Sequence, residues 1–279
     1  MIFLRLFLPL LSSAFILKPT TLIQKMIENS GGGVYQIEQE VQFPSFNPSM
    51  QETLTLKETW QIEGENKLRL TVNGTKDLAS KIHWVFIYDN GQRFFQGREG
   101  RITQSLGDDF IEKYFHFRKA DHFQATLVRM KIVPASLFTK KQFKLGKEPD
   151  VVSDPHLRLT RIGGVIAYGL GLATDADAEP TPAFYIEQDQ FVIRKFRLPS
   201  QVEVNAENFS TFTKGLNFPR HRSIRWGDQM DKLVTIQTIR VQSKPEKTLS
   251  MTLEPSTSLE VPELGTSKSL VEEFYKRFR

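Results

Sequence analysis

Val34-Tyr35-Gln36-Ile37-Glu38-Gln39-Glu40-Val41-Gln42-Phe43 alternates in polarity. Tyr35, Ile37, Val41 and Phe43 fall on one face, and Gln36, Glu38, Glu40 and Gln42 on the other. Successive strand side chains point to opposite faces, so this segment predicts a sheet with one wet side and one apolar side. The pattern continues. Leu54, Leu56, Trp60 and Ile62 share a face that Glu58 interrupts, while Thr55, Lys57, Thr59 and Gln61 lie opposite. Glu63-Gly64-Glu65-Asn66 reads as a turn into a strand in which Leu68, Leu70 and Val72 alternate with Lys67, Arg69 and Thr71. Ile82 to Tyr88 is apolar on both faces, as a covered strand is. Asp89-Asn90-Gly91 then supplies the positive φ of a tight hairpin before Arg93-Phe94-Phe95. A sheet with a continuous apolar face needs a cover, either the chain's own helices or a greasy ligand.

The remaining text supplies helices and further strands. Thr20 or Thr21 can cap a short helix to about Ser30, with Leu22, Ile23, Met26 and Ile27 at helical spacing, and Gly31-Gly32-Gly33 stops it. In the middle, Asp108 or Asp109 is expected to cap a helix over Phe110–Phe117. Asp121 is expected to cap a second over His122–Val133, ended by Pro134. Strand-like text returns at Leu157–Leu172, whose glycines imply bends or close packing. It continues as a meander over Phe184–Gln188, Phe191–Leu198, Val202–Asn205, Arg222–Gly227 and Leu233–Val241. Ser243–Lys268 is rich in Pro, Ser, Thr and Glu and reads as an extended tail lying outside the main core. Ser269–Phe278 reads as a short terminal helix with Leu270, Val271, Phe274 and Phe278 on one side. Strands on both sides of the helical middle favour one sheet with an insertion at about 108–146 over two independent domains.

Composition narrows the function classes. With 279 residues the chain suffices for one large α+β or mainly β domain, and its 22 Phe concentrate the apolar mass in aromatics. A net charge of +5 is spread along the strands without a basic cluster, which argues against nucleic acid and leaves an anionic membrane surface or an acidic partner as the open counterparts. There is no cysteine, so disulfides, thiolate metal sites, a thiol nucleophile and a lipid-anchoring cysteine are all excluded.

Arg5, the apolar run from Leu6 and the small residues Ser12-Ser13-Ala14 have the layout of a secretory signal over residues 1–14. The run to Leu17 is about a dozen residues, against about 20 for a bilayer span. An exported protein in a periplasmic compartment is expected.

Catalytic and metal patterns are weak. Asp109, Glu112 and His116 are helically spaced near His122, but no His-Glu-x-x-His completes a metal set. No Gly-x-Ser-x-Gly elbow occurs, and the glycines at 163–171 lack the Lys-Ser/Thr of a phosphate loop. Asp175, Asp177 and Glu179 begin like a calcium loop without its later glycine and acid. The expectation is a protein without an enzymatic role, cofactor or metal. The aromatic stripe Tyr35, Phe43, Trp60, Trp84, Phe86, Phe94 and Phe95 is the feature with weight, as sheet core or as the lining of a cavity.

The order of elements resembles the outer-membrane lipoprotein carrier proteins, the LolA/LolB-like family. Asp89-Asn90-Gly91-Gln92-Arg93-Phe94-Phe95 is similar to the family's turn and aromatic strand. Phe218-Pro219-Arg220-His221-Arg222-Ser223-Ile224, answered by Leu233–Val241, is similar to its late hairpin. The resemblance covers most of residues 20–243. The chain departs from the family where Asn66-Lys67-Leu68-Arg69-Leu70 stands in place of the Arg-Pro that often follows the first hairpin strands in the carriers.

The resemblance implies an unclosed β-barrel with helices as a lid over an apolar cavity, the ligand being a lipid or an acylated protein. In that cavity Tyr35, Phe43, Trp60, Leu68, Leu70, Trp84, Phe86 and Phe94 are the expected lining. The alternative is a sensor or scaffold of the same fold, with a filled core, that docks a protein partner. Export generates a first prediction: N-terminal sequencing of the envelope-associated protein should begin near Phe15 or a few residues later, and an intact Met1 would refute the signal.

Overall fold

A computed structural model describes residues 17–44, 53–97, 100–139, 154–174, 178–245, 249–258 and 261–279. The expected signal segment and the Asp175–Asp177 start of the calcium-like loop lie outside these residues. So does the part of the expected insertion beyond residue 139.

Thirteen strands form one antiparallel sheet: β1 (Val34–Phe43), β2 (Leu54–Gly64), β3 (Lys67–Asn73), β4 (His83–Asp89), β5 (Gln92–Gly97), β6 (Gly100–Ser105), β7 (Leu157–Ile162), β8 (Val165–Leu170), β9 (Ala183–Glu187), β10 (Ile193–Arg197), β11 (Glu203–Thr211), β12 (Asn217–Trp226) and β13 (Lys232–Lys244). The spatial order β6-β5-β4-β3-β2-β1-β13-β12-β11-β10-β9-β8-β7 consists of two meanders joined where β1 pairs with β13. The ends β6 and β7 do not meet, so the sheet is an unclosed half-barrel. Tight turns set the register. Asn90 and Gly91 (φ 48° and 79°) turn β4 into β5, and Gly163 and Gly164 (φ 55° and 87°) turn β7 into β8, the positive φ that two-residue hairpins need.

The concave face carries the core. Tyr35, Ile37, Val41 and Phe43 of β1 are buried, as are Leu56, Trp60 and Ile62 of β2, Leu68, Leu70 and Val72 of β3, and Trp84, Phe86 and Tyr88 of β4. The described residues include four α-helices: α1 (Pro19–Glu28), α2 (Ala120–Arg129), α3 (Ser136–Thr139) and α4 (Lys268–Arg277). α1 buries Leu22, Ile23, Met26 and Ile27 as its spacing predicts. It starts on Pro19 rather than on a threonine cap, because a first-turn proline gives up an N–H that has no helical partner.

The middle segment differs from expectation. Phe110–Phe117 forms only a 3-10 turn over Ile111–Phe115, with Ile111, Glu112, Tyr114 and Phe115 buried. Asp108 caps nothing there, since its carboxylate binds Arg129 (2.6 Å) and Lys113 (3.4 Å). A segment buried on every side has no wet face to align, so a longer amphipathic helix gains nothing. α2 begins at Ala120, before Asp121, and its N-cap residue Lys119 makes no side-chain cap. It closes at Lys131 (φ 57°), where the Ile132 N–H reaches the Leu127 carbonyl at 3.0 Å, ahead of Pro134.

The largest correction concerns the tail, which does not lie outside the core. Residues 250–254 cross the outer face, held by the buried Arg69 through the Ser250 and Thr252 carbonyls (3.2 and 2.7 Å) and Glu254 (2.5 Å). Ser256 and Thr257 then bridge the place where β4 and β5 have parted. The Ser256 N–H donates to the Gln96 carbonyl (3.3 Å), and the Thr257 N–H to the His83 carbonyl (2.9 Å). On the inner side, Trp84 Nε1 donates to the Ser258 carbonyl at 3.0 Å. The chain thus passes from the outer to the concave face, and α4 buries Leu270, Val271, Phe274 and Tyr275 inside the half-barrel.

A buried helix of this kind has a measurable weight. Phe274→Ala should lower unfolding stability by about 3–5 kcal/mol in a urea titration, as expected for emptying a core phenylalanine site. A loss below about 1 kcal/mol would mean that α4 is not part of the core.

Candidate functional site

The structure brings seven of the eight expected lining residues to the concave face: Tyr35, Phe43, Trp60, Leu68, Leu70, Trp84 and Phe86, all buried. The exception is Phe94. Because Phe95 pairs with Phe86 and Phe94 with Ile87, Phe94 faces outward beneath Arg101, 4.3 Å from its ring centroid. Phe95 is the inward residue, stacked on Phe86 at 5.2 Å.

Much of the interior is occupied. Phe110 stacks on Tyr88 at 4.7 Å and lies 6.4 Å from Trp60. Phe274 meets Phe43 edge-on at 5.3 Å, Tyr275 meets Trp84 at 5.1 Å, and Phe278 meets Trp226 at 4.8 Å.

Space remains between α4 and the β4–β6 end of the sheet. A largely apolar chamber of about 290 Å³ is walled by Trp84, Phe86, Phe95, Ile102 and Tyr275, with Arg93, Gln104, Glu272 and Lys276 as its polar lining. Ile102 is 54% exposed on the edge strand β6. Arg93, Gln104 and Lys276 also border a second chamber of about 410 Å³, whose further walls are Ser105, Leu106, Gly107, Asp108, Asp109, Arg277 and Arg279. Together they make one cleft with an apolar half and a mixed-charge half. Arg93 fixes its geometry, since its guanidinium donates to the Tyr275 carbonyl (2.6 Å), the Arg279 carbonyl and the Gln104 side chain (2.5 Å).

Beneath α4 lies a buried charge network that crosses the half-barrel. Glu58 on β2 accepts from its β1 partner Gln39 (2.5 Å), from Trp60 Nε1 (3.1 Å) and from Arg279 Nε (3.0 Å). Glu112 accepts from Arg222 of β12 (2.9 Å) and from His116 (3.2 Å), and lies 3.5 Å from Arg279. Arg222 also donates to Gln39 (2.5 Å), closing the circuit. Burial raises the Glu112 pKa, but Arg222, His116 and Arg279 outweigh it and hold the carboxyl far below the usual carboxylate range. Burial pushes His116 down against the pull of Glu112, so it sits neutral.

The sequence brought Glu112 and His116 to notice as helically spaced metal candidates. In the structure they are ion-network partners, while Asp109 binds Arg277 (2.5 Å) and His122 binds Glu65 (2.7 Å). Among the described residues no metal-ligand cluster forms. Gln39, Arg222 and Arg279 carried no sequence signal of burial, apart from the fact that Gln39 and Glu58 both interrupt an apolar face.

No protein-family model and no curated protein matches the chain by sequence. Solved structures do match. A LolA superfamily protein of Nitrosomonas europaea superposes with a TM-score of 0.53 at 9% identity, over 84% of this chain and 98% of that one. An outer membrane lipoprotein-sorting protein domain of Vibrio parahaemolyticus matches with a TM-score of 0.46 at 11% identity, over 91% and 97%. The MucA/MucB complex of Pseudomonas aeruginosa matches with a TM-score of 0.30 at 11% identity, over 84% and 60%. The fold is therefore LolA-like, as the sequence resemblance implied. Among the described residues no helix is long and apolar enough to cross a membrane.

The network makes acid stability a readout. A group whose folded pKa is depressed contributes stability above its unfolded pKa and loses it as pH falls. Wild-type stability should decline as pH drops below about 6.5, where unfolded His116 takes up a proton, and more steeply below about 4.5, where unfolded Glu112 does. Glu112→Gln should cost about 3–5 kcal/mol at pH 7, because it leaves buried guanidinium charge uncompensated. The variant should also have a shallower limb below about 4.5, keeping only the part that Asp108, Glu203 and Glu273 supply. Denaturant unfolding of both proteins at pH 7 and pH 3 checks this, and equal acid losses in the two would exclude Glu112 as the source.

Proposed function

We propose that this chain is an exported envelope protein that binds or carries a lipid or a lipidated protein, holding an acyl chain in the cleft between α4 and the β4–β6 end of the half-barrel. The observation that carries the reading is the cleft's two-part wall. Trp84, Phe86, Phe95 and Ile102 offer an apolar trough, and the adjoining chamber offers Arg93, Lys276, Arg277, Asp108 and Asp109 to a polar head or an attached peptide. Each methylene buried there contributes about 0.8 kcal/mol, so chain length alone can build affinity without a catalytic group. The trough is near the lower end of ordinary ligand sites, which suits one chain rather than two. The LolA-like fold supports the same reading, and the N-terminal signal pattern supports a periplasmic location.

A second reading has its own observation. The centre of the half-barrel is packed with the chain's own aromatics, as in a scaffold that docks protein partners and carries no ligand.

A fluorescent fatty-acid titration separates the two. The wild type should show saturable binding that strengthens with chain length. Ile102→Glu, at an exposed edge position, should weaken it at least about tenfold by placing a charge in the apolar wall, with little change in melting temperature. A flat wild-type titration across several chain lengths would eliminate the carrier reading and favour the scaffold.

A further inference from the structure

The seat of α4 has the properties of a binding groove, and each of its three recognition elements belongs to the body of the fold. The first is aromatic: Phe43, Trp84 and Trp226 receive Phe274, Tyr275 and Phe278, which recur at i, i+1 and i+4 along the helix. The second reads backbone. Arg93 donates to the carbonyls of Tyr275 and Arg279, the free acceptors at the end of a helix, and would do so for any sequence placed there. The third is charge. The body contributes two buried carboxylates, Glu58 and Glu112, and Arg222, which bonds to Glu112 and not to Glu58. Arg279 brings the second cation, bonded to Glu58 and near Glu112. Without α4 Glu58 would keep only the neutral donors Gln39 and Trp60 and lose its guanidinium partner, in an aromatic setting where an unpaired carboxylate is costly.

The way α4 arrives is also informative. Among the described residues from 249 to the start of the helix none belongs to a strand, and the segment is held through the Arg69 contacts, the Ser256–Ser258 bridge and the buried Val261 and Leu264. The occupant is thus a tethered helix, seated by contacts that a separate helix can reproduce.

We infer that this groove is a docking site for a basic, aromatic amphipathic helix of a protein partner, and that α4 occupies it as an internal stand-in which such a helix displaces. The partner's helix needs an aromatic pair one turn apart, an arginine or lysine just past the second aromatic, and an end that presents free carbonyls to Arg93. Exchange of one such helix for another replaces contacts in kind, which makes displacement feasible despite the depth of α4's burial. The inference is independent of acyl-chain binding in the cleft.

The test uses the full chain and a fluorescein-labelled peptide with the sequence of residues 266–279. The chain has no cysteine, so Val271→Cys gives a single thiol, buried while α4 is seated. Three results are expected. The peptide binds saturably by anisotropy, about tenfold more tightly to the Arg279→Gln protein, whose own helix is weakened. A peptide with glutamine in place of its last arginine binds about tenfold more weakly. Peptide binding speeds dye labelling of the thiol at 271 severalfold. Absence of saturable binding to either protein overturns the inference. So does binding indifferent to the peptide's arginine, or binding that leaves the thiol protected. If Arg279→Gln does not fold, the two peptides on the wild type and the labelling rate decide the question by the same criteria.

Discussion

Charge compensation inside an aromatic half-barrel is the constraint on which this structure turns. Glu58, Glu112, Arg222 and Arg279 are all buried, and an ion taken out of water carries a penalty of several kcal/mol unless partners replace its hydration. They form a neutral set of two acids and two bases, with Gln39, Trp60 and His116 filling further hydrogen-bonding positions. The set draws on β1, β2, β12, the 110–117 segment and the end of the chain. No single element is electrostatically complete without the others. Hydrophobic burial brings these segments together, and the buried charges are paired only when all of them meet.

The sheet makes that meeting possible. Twelve antiparallel pairings give the half-barrel a continuous apolar inside, but the pairing of β4 with β5 covers only the end near their turn. At the other end, residues 256–258 take up backbone groups of His83, Val85 and Gln96 that a partner strand would otherwise use. Buried or edge amides need partners, and the crossing chain supplies them. The same crossing delivers α4 to the concave face. One local opening in the ladder therefore satisfies the sheet and positions the helix that completes the charge set.

Much of this was legible in the sequence. Alternation located β1 to β3, an apolar run on both faces marked β4, the Asn90-Gly91 turn led into β5, and the spacing of Leu22, Ile23, Met26 and Ile27 gave α1. What was missed has specific causes. In Arg93-Phe94-Phe95 two adjacent aromatics leave the strand's facing ambiguous by one residue, and only the pairing of Phe95 with Phe86 resolves it. Glu58 was visible as a break in an apolar face. Its partner Arg279 lies 221 residues away, and no local pattern marks a contact at that separation. The apolar stripe of α4 was also plain, but composition assigned the preceding segment to solvent. Polar text does not prevent a chain from crossing a sheet when backbone groups await it.

Cleft and groove share a wall. Tyr275 and Lys276 border the cleft from α4, and Arg93 lines it while holding the carbonyls at the end of that same helix. A molecule that enters the cleft touches groups whose positions depend on α4 being seated. A change in that helix alters the cleft's apolar wall at Tyr275 and its polar wall at Arg277 and Arg279. Linkage then requires reciprocity: whatever factor a cleft ligand applies to the seating of α4, the seating of α4 applies to that ligand's affinity. The sign depends on which state has the better cleft. With Tyr275 forming part of the apolar wall, a single chain bound there gains contact from the seated helix and strengthens its hold. A ligand too wide for about 290 Å³ gains only if the helix leaves, and so works against it. Ligand width, rather than ligand polarity, is the variable that decides between the two.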